Sequence, residues 1–97
     1  MKVTWDEAKN RANRKKHGIS FEEASALFTQ RGDYLEVYED EISGEEDRFI
    51  AIGPIARGLV LVVYCERDED TVRLISARWA IKREKDLYRT HIGGMTP

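Results

Sequence analysis

Residues 59–78 read LVLVVYCERDEDTVRLISAR, and this stretch decides the fold. Its first part, from Leu59 to Cys65, is an unbroken apolar run, which is typical of a strand that is covered on both faces. The acidic residues 68–70 then form a turn, and residues 71–78 are rich in apolar and β-branched side chains. The stretch therefore predicts an antiparallel hairpin, with strands at 59–67 and 71–78, in the middle of a sheet.

Two further strands are predicted upstream of this hairpin. Residues 34–38 alternate between polar and apolar side chains, and residues 48–52 form a second apolar segment. Residues 39–47 are predicted to be an exposed acidic loop, and residues 53–58, which contain Pro54 and Gly58, a turn. Consecutive strands with short connections usually pair in order, so the four strands predict an antiparallel meander.

The amino-terminal third predicts one short strand and two helices. Residues 2–5 are the strand, and Thr4 with Glu7 has the spacing of a capping box for a helix over about 6–16 that ends near Gly18. Ser20 and Glu23 have the same spacing and predict a helix over about 21–28. These two helices are expected to be neighbours in space because so few residues join them.

A closing helix over about 80–89 and a flexible tail over 91–97 complete the prediction. The whole is a single α+β domain over residues 1–90, consisting of a short N-terminal strand, two helices, a four-stranded antiparallel meander and a C-terminal helix. The antiparallel sheet should carry helices on at least one face.

Composition excludes several classes of protein. The chain has 97 residues and one cysteine, Cys65, which has no partner for an internal disulfide and suits a reducing, cytoplasmic compartment. The longest apolar run is far shorter than the roughly 20 residues of a membrane helix. Acidic residues directly follow the N-terminal strand, so no secretory signal is expected. The set of His and Cys residues makes a structural zinc site unlikely, and no metal or other cofactor is expected.

The net charge of −2 conceals an uneven distribution. Residues 1–20 and residues 73–97 each hold six Lys/Arg against two acidic residues, whereas residues 21–72 hold four against fourteen, which gives +4, +4 and −10. A fold that joins the two ends would create a basic patch, which is what phosphate binding requires. A solvated charged surface is the alternative interpretation.

Several residues could carry chemistry at such a patch. His17 follows a basic run at the end of the first helix, where it either interacts with the helix dipole or transfers protons near neutral pH. Arg67 and Arg78 end the two strongest strands; the turn acids favour a salt bridge for Arg67, whereas Arg78 lies near Lys82 and Arg83 and suits bidentate phosphate contacts. Glu84 and Tyr88 could handle protons, because cleavage of RNA needs an activated 2′-hydroxyl, a stabilised phosphorane and a protonated leaving oxygen.

Two patterns together resemble the BrnT-type toxins. The first comprises Trp5-Asp6 with Lys9, Asn13 with Lys16-His17-Gly18, and Phe21-Glu22-Glu23-Ala24. The second comprises Ile52-Gly53, Gly58, Val62-Val63, Arg67, and Arg73-Leu74-Ile75-Ser76-Ala77-Arg78 with Ala80, Glu84 and Tyr88. The resemblance implies a RelE-like fold and a toxin of a type II toxin–antitoxin system. It also implies a metal-independent endoribonuclease that inhibits translation and growth, and a BrnA-type ribbon-helix-helix antitoxin that neutralises it and contacts operator DNA as part of the complex.

The resemblance also suggests site residues. Those expected to take part in catalysis are Arg67, Arg78, His17, Lys16, Glu23, Glu84 and Tyr88. Among them, Lys16 is expected to contact phosphate, His17 or Glu23 to act as the base, and Arg78 to stabilise charge. Those expected to contact RNA are Lys9, Arg14, Lys82, Arg83 and Trp79, where Trp79 either stacks a base or is buried. The alternative function is a non-catalytic module that pairs with a ribbon-helix-helix DNA-binding partner in operon autoregulation.

Overall fold

The computed structural model describes residues 1–30, 33–39 and 48–94. They form a five-stranded sheet in the order β1-β5-β4-β3-β2, with helices on both faces. The elements, in chain order, are β1 (Lys2–Thr4), α1 (Glu7–His17), α2 (Phe21–Ala24), α3 (Ala26–Thr29), β2 (Leu35–Glu39), β3 (Arg48–Ile55), β4 (Gly58–Asp68), β5 (Thr71–Trp79) and α4 (Lys82–Gly94).

The predicted central hairpin is confirmed. β4 lies in the middle of the sheet between β3 and β5, and both of these pairings are antiparallel. Val60 and Leu61 point to opposite faces of β4, and both are buried. The continuous apolar run therefore reflects burial on both sides, as the sequence indicated.

The N-terminal strand adds a fifth member to the predicted meander. β1 pairs in parallel with residues 71–73 of β5, although the two segments lie about 70 residues apart in the chain. Thr4 Oγ1 reinforces this pairing by donating a hydrogen bond to the Val72 carbonyl oxygen (3.3 Å). The pairing places the N-terminal segment beside β5, whereas most of the C-terminal basic residues lie on α4.

The caps of the first two helices differ in their agreement with the sequence prediction. Asp6, not Thr4, caps α1, and its carboxylate accepts hydrogen bonds from the backbone N–H groups of Ala8 and Lys9. Thr4 is unavailable as a cap because it belongs to β1. Gly18 ends α1 in the left-handed region (φ 75°), and Ser20 Oγ accepts from the Glu23 N–H at the start of α2, as predicted.

Two predicted element boundaries are wrong, and one predicted helix is interrupted. The turn predicted at 53–58 is strand to Ile55, because residues 53–55 pair with β4. Pro54 is tolerated there because β2 pairs only with residues 48–52, so its missing N–H leaves no ladder bond unmade on that side. The helix predicted to end at residue 89 continues to Gly94, because no helix-breaking residue precedes the Gly93-Gly94 pair. The segment predicted as one helix at 21–28 is interrupted at Ser25 into α2 and α3. The predicted acidic loop falls almost entirely outside the described residues.

The two faces of the sheet carry different helices. Ile19, Phe21 and Leu27 pack on one face against core residues such as Val60 and Leu74. On the opposite face, α4 extends from the end of β5 across β3 towards β2, where the Tyr88 hydroxyl donates to the Asp33 carbonyl oxygen (3.1 Å). The end of β5 is therefore close to both α1 and the start of α4.

Candidate active site

An open pocket lies between α1 and the edge of β5. Its volume is about 220 Å³. The residues that line it are Lys9, Ala12, Asn13, Lys16, His17, Ile75 and Ser76. Four of the α1 residues follow the i, i+3, i+4, i+7 spacing of a single helix face. The pocket therefore combines two lysines, one histidine and one hydroxyl group around a small apolar surface.

Asn13 holds α1 at the edge of β5. β1 covers only residues 71–73 of that edge, so the backbone groups of Ala77 find no partner strand there. Asn13 takes the place of a strand: its Oδ1 accepts from the Ala77 N–H (3.0 Å) and its Nδ2 donates to the Ala77 carbonyl (2.8 Å). Nδ2 also donates to the Ile19 carbonyl (2.9 Å). This one side chain fixes the helix that carries the basic pocket residues.

Asn10 performs a similar task one turn earlier on α1. Its Oδ1 accepts from the Phe21 N–H (2.7 Å), and its Nδ2 donates to the Glu22 carboxylate (2.7 Å). The hydrogen bond from Asn10 lowers the pKa of Glu22 below its ordinary value. The two buried asparagines thus attach α1 to both β5 and α2.

Arg78 forms a bidentate ion pair with Glu84. Arg78 Nη1 lies 2.9 Å from Glu84 Oε1, and Nη2 lies 2.8 Å from Oε2. Glu84 is buried, and its Oε1 also accepts from the Ile81 N–H (2.9 Å) at the start of α4. The hydrogen bonds from Arg78 lower the pKa of Glu84 despite its burial. Glu84 therefore remains ionised at neutral pH and orients Arg78, rather than being ready to accept a proton.

The strand register places Arg78 beside the pocket. Arg78 lies opposite Leu61 and Ser76 lies opposite Val63, so the two β5 residues project from the same face. Two residues along a strand span about 7 Å. Arg78 thus extends the basic surface beyond Ser76 towards the first turn of α4.

Arg67 lies at the other end of the sheet. It is six residues beyond Leu61, the residue that pairs with Arg78, which corresponds to about 20 Å along β4. Both arginines were expected to bind phosphate, and the structure places them apart, at the opposite ends that the predicted antiparallel hairpin implied. Their strands are antiparallel neighbours, and their C-terminal ends necessarily point in opposite directions.

Glu23 is held by an arginine that the sequence did not single out. Arg57 Nε lies 2.5 Å from Glu23 Oε2, and Arg57 Nη2 lies 2.7 Å from Oε1. This pairing lowers the pKa of Glu23, which makes the carboxylate a weaker base. The Arg57 guanidinium also lies over the ring of Trp79, 5.1 Å from its centroid. Trp79 is half-buried and packs against the core, which accounts for this large residue next to Arg78.

The remaining predicted residues lie apart from the pocket lining. Tyr88 anchors α4 to Asp33, and burial raises the pKa of its hydroxyl. Arg14 projects from another side of α1, where its charge adds to the hydrogen bond from Asn10 in lowering the pKa of Glu22. Lys82 pairs with Asp86 at 3.0 Å on the exposed surface of α4. Arg83 is likewise exposed in the first turn of α4.

Three contributors were missed by sequence reasoning. They are Ser76, Asn13 and Arg57. The signal that the sequence offers for Ser76 and Asn13 is their place in the two family motifs, whereas the burial of Asn13 is visible only in the structure. Arg57 offers no comparable signal, since its partner Glu23 is 34 residues away in the chain.

Two kinds of feature are absent from the residues that the structure describes. No group of three or more His, Cys, Asp or Glu side chains is arranged there to hold a metal ion. Among the helices in the same residues, none has both the length and the apolar character needed to cross a membrane.

Comparison with known proteins places these features in a family context. A family model described as the ribonuclease toxin BrnT of the type II toxin–antitoxin system matches residues 5–84. No curated protein matches the chain significantly. Among solved structures, the chain is similar to the crystal structure of the Brucella abortus ribonuclease toxin BrnT, with a TM-score of 0.60 and 24% identity over 84% of this chain and 99% of that one. At this identity, the structural match shows a shared α+β fold.

Proposed function

The chain belongs to the BrnT family of ribonuclease toxins of type II toxin–antitoxin systems, and from this membership we propose that it cleaves RNA at the pocket between α1 and β5. The observation that carries the proposal is the meeting of Lys9, Lys16 and His17 with Ser76 in one pocket. Arg78 lies next to them on the same face as Ser76. Cations and a proton-transferring group around a small cavity suit a phosphodiester substrate.

The proposed reaction is attack by the RNA 2′-hydroxyl on the adjacent phosphorus. A base removes the 2′ proton, cations stabilise the charge of the phosphorane, and the 5′ oxygen leaves with a proton. We assign proton transfer to His17 and the phosphate contact to Lys16. Glu23 is the weaker candidate for the base, because Arg57 occupies its carboxylate. These steps need only protein groups, so the proposal includes independence from metal ions.

Arg78 is proposed to stabilise the phosphorane while Glu84 holds it in place. The hydrogen bonds to Glu84 and to the Trp79 carbonyl use three of the guanidinium donors. An arginine has five N–H groups, so within the described part of the chain at least two remain for a phosphate. Because its orientation is fixed before substrate binds, Arg78 should contribute charge stabilisation without reorganisation. Arg67 is not assigned to this step, because it lies about 20 Å along the sheet from Arg78.

RNA cleavage by the purified chain in excess EDTA tests this proposal. We expect the parent to cleave and Lys16→Ala and Arg78→Ala to be slowed, the latter by about 10²–10³-fold, as for loss of one positioned donor. Because Arg78 also binds Glu84, circular dichroism must show that the variant is folded; Arg78→Lys, which keeps the charge but loses the fork, provides a second variant. Folded parent protein that cleaves no RNA, alone or with ribosomes, would favour the non-catalytic binding module.

The toxin is proposed to act in the cytoplasm, where it inhibits translation and growth until a BrnA-type ribbon-helix-helix antitoxin neutralises it. Membership of a type II system implies a protein antitoxin, and the net charge of −10 over residues 21–72 suits a basic, DNA-binding partner. Contact with operator DNA would occur through that complex. Growth arrest on expression, relieved by co-expression of the antitoxin, is the expected result.

A further inference from the structure

We propose that Arg57 is a positioning residue for the reaction: it fixes the C-terminal end of α1 and thereby the placement of His17. This inference rests on the proposed function for its catalytic consequence. Arg57 lies in the turn between β3 and β4, outside the pocket lining. Its effect must therefore be indirect, through the helix end that it contacts.

The first step of the argument is the contact with α1 itself. Arg57 Nη2 donates to the carbonyl oxygen of Gly18 at 2.7 Å. The last carbonyl groups of a helix lack partners within the helix, and helix ends fray when nothing holds them. Gly18 directly follows His17, so this hydrogen bond restrains the point where the chain leaves the basic turn. The restrained residue is thus adjacent to His17, to which we assign proton transfer.

The second step is that Arg57 also holds the segment after Gly18. Its fork binds both oxygens of Glu23, and the Glu23 backbone N–H donates to Ser20 Oγ (3.0 Å) at the start of α2. The guanidinium therefore bridges the end of α1 and the first turn of α2. A bidentate carboxylate pair adds geometric specificity that a lysine at the same position would lack.

The third step is that the sheet orients the guanidinium. Arg57 lies over the ring of Trp79, which packs against the core from β5. Gly58 (φ 151°) brings the turn close to this ring, since a Cβ there would lie 3.5 Å from Trp79 Cζ3. An exposed ion pair alone contributes little to stability. Because the Arg57 guanidinium lies on the Trp79 ring, however, the pair with Glu23 fixes the end of α1 relative to the sheet.

The expected consequence is a loss of rate rather than a loss of binding. A misplacement of about 1 Å in a catalytic group can cost on the order of 10²-fold in rate. We therefore expect Arg57→Ala to lower kcat for RNA cleavage by about 10- to 100-fold, with KM close to that of the parent. Arg57→Lys, which keeps the charge but loses the fork, should produce the same pattern to a smaller extent.

The experiment combines cleavage kinetics with amide hydrogen exchange on the full chain. Arg89→Ala is the matched control, because Arg89 is an exposed arginine that pairs with Asp86 (3.3 Å) on α4. We expect Arg57→Ala to speed exchange of the amides of residues 16–19, and Arg89→Ala to leave both exchange and cleavage unchanged. In a His17→Ala background, Arg57→Ala should cost little further rate, because the group it positions is already absent. A purely structural role would slow cleavage equally in both backgrounds.

The outcomes separate this proposal from the proposed function. If Arg57→Ala matches Arg89→Ala in exchange and in cleavage, or if its cost is the same with and without His17, the positioning role is wrong. If the parent cleaves no RNA, the proposed function fails. Faster exchange at residues 16–19 in Arg57→Ala, but not in Arg89→Ala, would then still support Arg57 as the residue that fixes the end of α1.

Discussion

Asn13 shows how one side chain can decide where a functional helix lies. α1 has few apolar residues with which to pack against the sheet, and its buried members are Asn10 and Asn13. The helix is therefore held by hydrogen bonds from these amides rather than by a broad apolar face. The position of α1, and not only the stability of the protein, depends on these hydrogen bonds, because hydrogen bonds have narrow geometry.

We expect Asn13→Ala to lower the free energy of unfolding by at least about 2 kcal/mol, since it strands several buried backbone groups that each cost about 1–3 kcal/mol when unsatisfied. Chemical denaturation measures this change. Gln30→Ala is the control, because Gln30 carries the same amide group on an exposed residue. Equal changes in the free energy of unfolding for the two substitutions would mean that the buried amide of Asn13 contributes no more than an exposed one.

Gly53 is required by close packing rather than by backbone conformation. A Cβ at this position would lie 2.6 Å from Leu27 Cδ1 and 2.8 Å from Tyr34 Cβ. We expect Gly53→Ala to destabilise the protein by about 1–3 kcal/mol through overpacking, measured by denaturant titration. Leu27→Ala in the same background should recover part of the loss by making room, and additivity of the two changes would contradict this explanation.

At the scale of elements, the junction of β5 and α4 depends on one ion pair. Glu84 accepts from both Arg78 and the first turn of its own helix, so it fixes the direction in which α4 leaves the sheet. The sequence suggested a proton-handling role for Glu84. The contacts instead favour an orienting role, which also suits the proposed task of Arg78.

The lowered pKa of Glu84 predicts a pH-dependent contribution to stability. Because its folded pKa lies below the ordinary value of 4.5, the contribution is complete above that value and is lost as the pH falls through the folded pKa. We expect Glu84→Gln to cost about 1–3 kcal/mol at pH 7, and the gap to the parent to narrow towards pH 2. Denaturant titrations across this range test it, with Asp86→Asn on the exposed face of α4 as a control of much smaller effect.

At the scale of the whole molecule, the fold gathers cations that lie far apart in an almost neutral chain. The packing of α1 on β5 brings Lys9 and Lys16 next to Ser76, and Arg78 follows on the same face of the strand. Binding of a polyanion at this surface should therefore depend strongly on salt.

We expect Lys16→Ala to weaken binding of a 2′-O-methyl RNA, which cannot be cleaved, and to make the dependence of log K on log salt shallower by about 0.7, the value for one lost contact to a single strand. Fluorescence anisotropy at several salt concentrations measures the slope. Lys15→Ala is the control, since Lys15 is adjacent but does not line the pocket. If both variants shift the slope equally, the pocket is not where the phosphate binds.

The sequence by itself determined the elements and the family. The apolar run of β4, the capping residue Ser20 and the terminating Gly18 are local signals, and each was confirmed because short-range sterics and hydrogen bonding fix them. The paired motifs likewise identified the family without coordinates. Boundaries such as the end of β3 at Ile55 were missed because they depend on where the neighbouring strand stops.

Only the tertiary structure decided which side chains meet. Arg57 and Glu23 are 34 residues apart, and only packing brings their charges together. Contacts of this kind depend on loop closure and on the paths of distant elements, which local sequence patterns do not encode. Lys9, Lys16 and His17 could therefore be nominated from the sequence, but Ser76 and the partners of each site residue came from the fold.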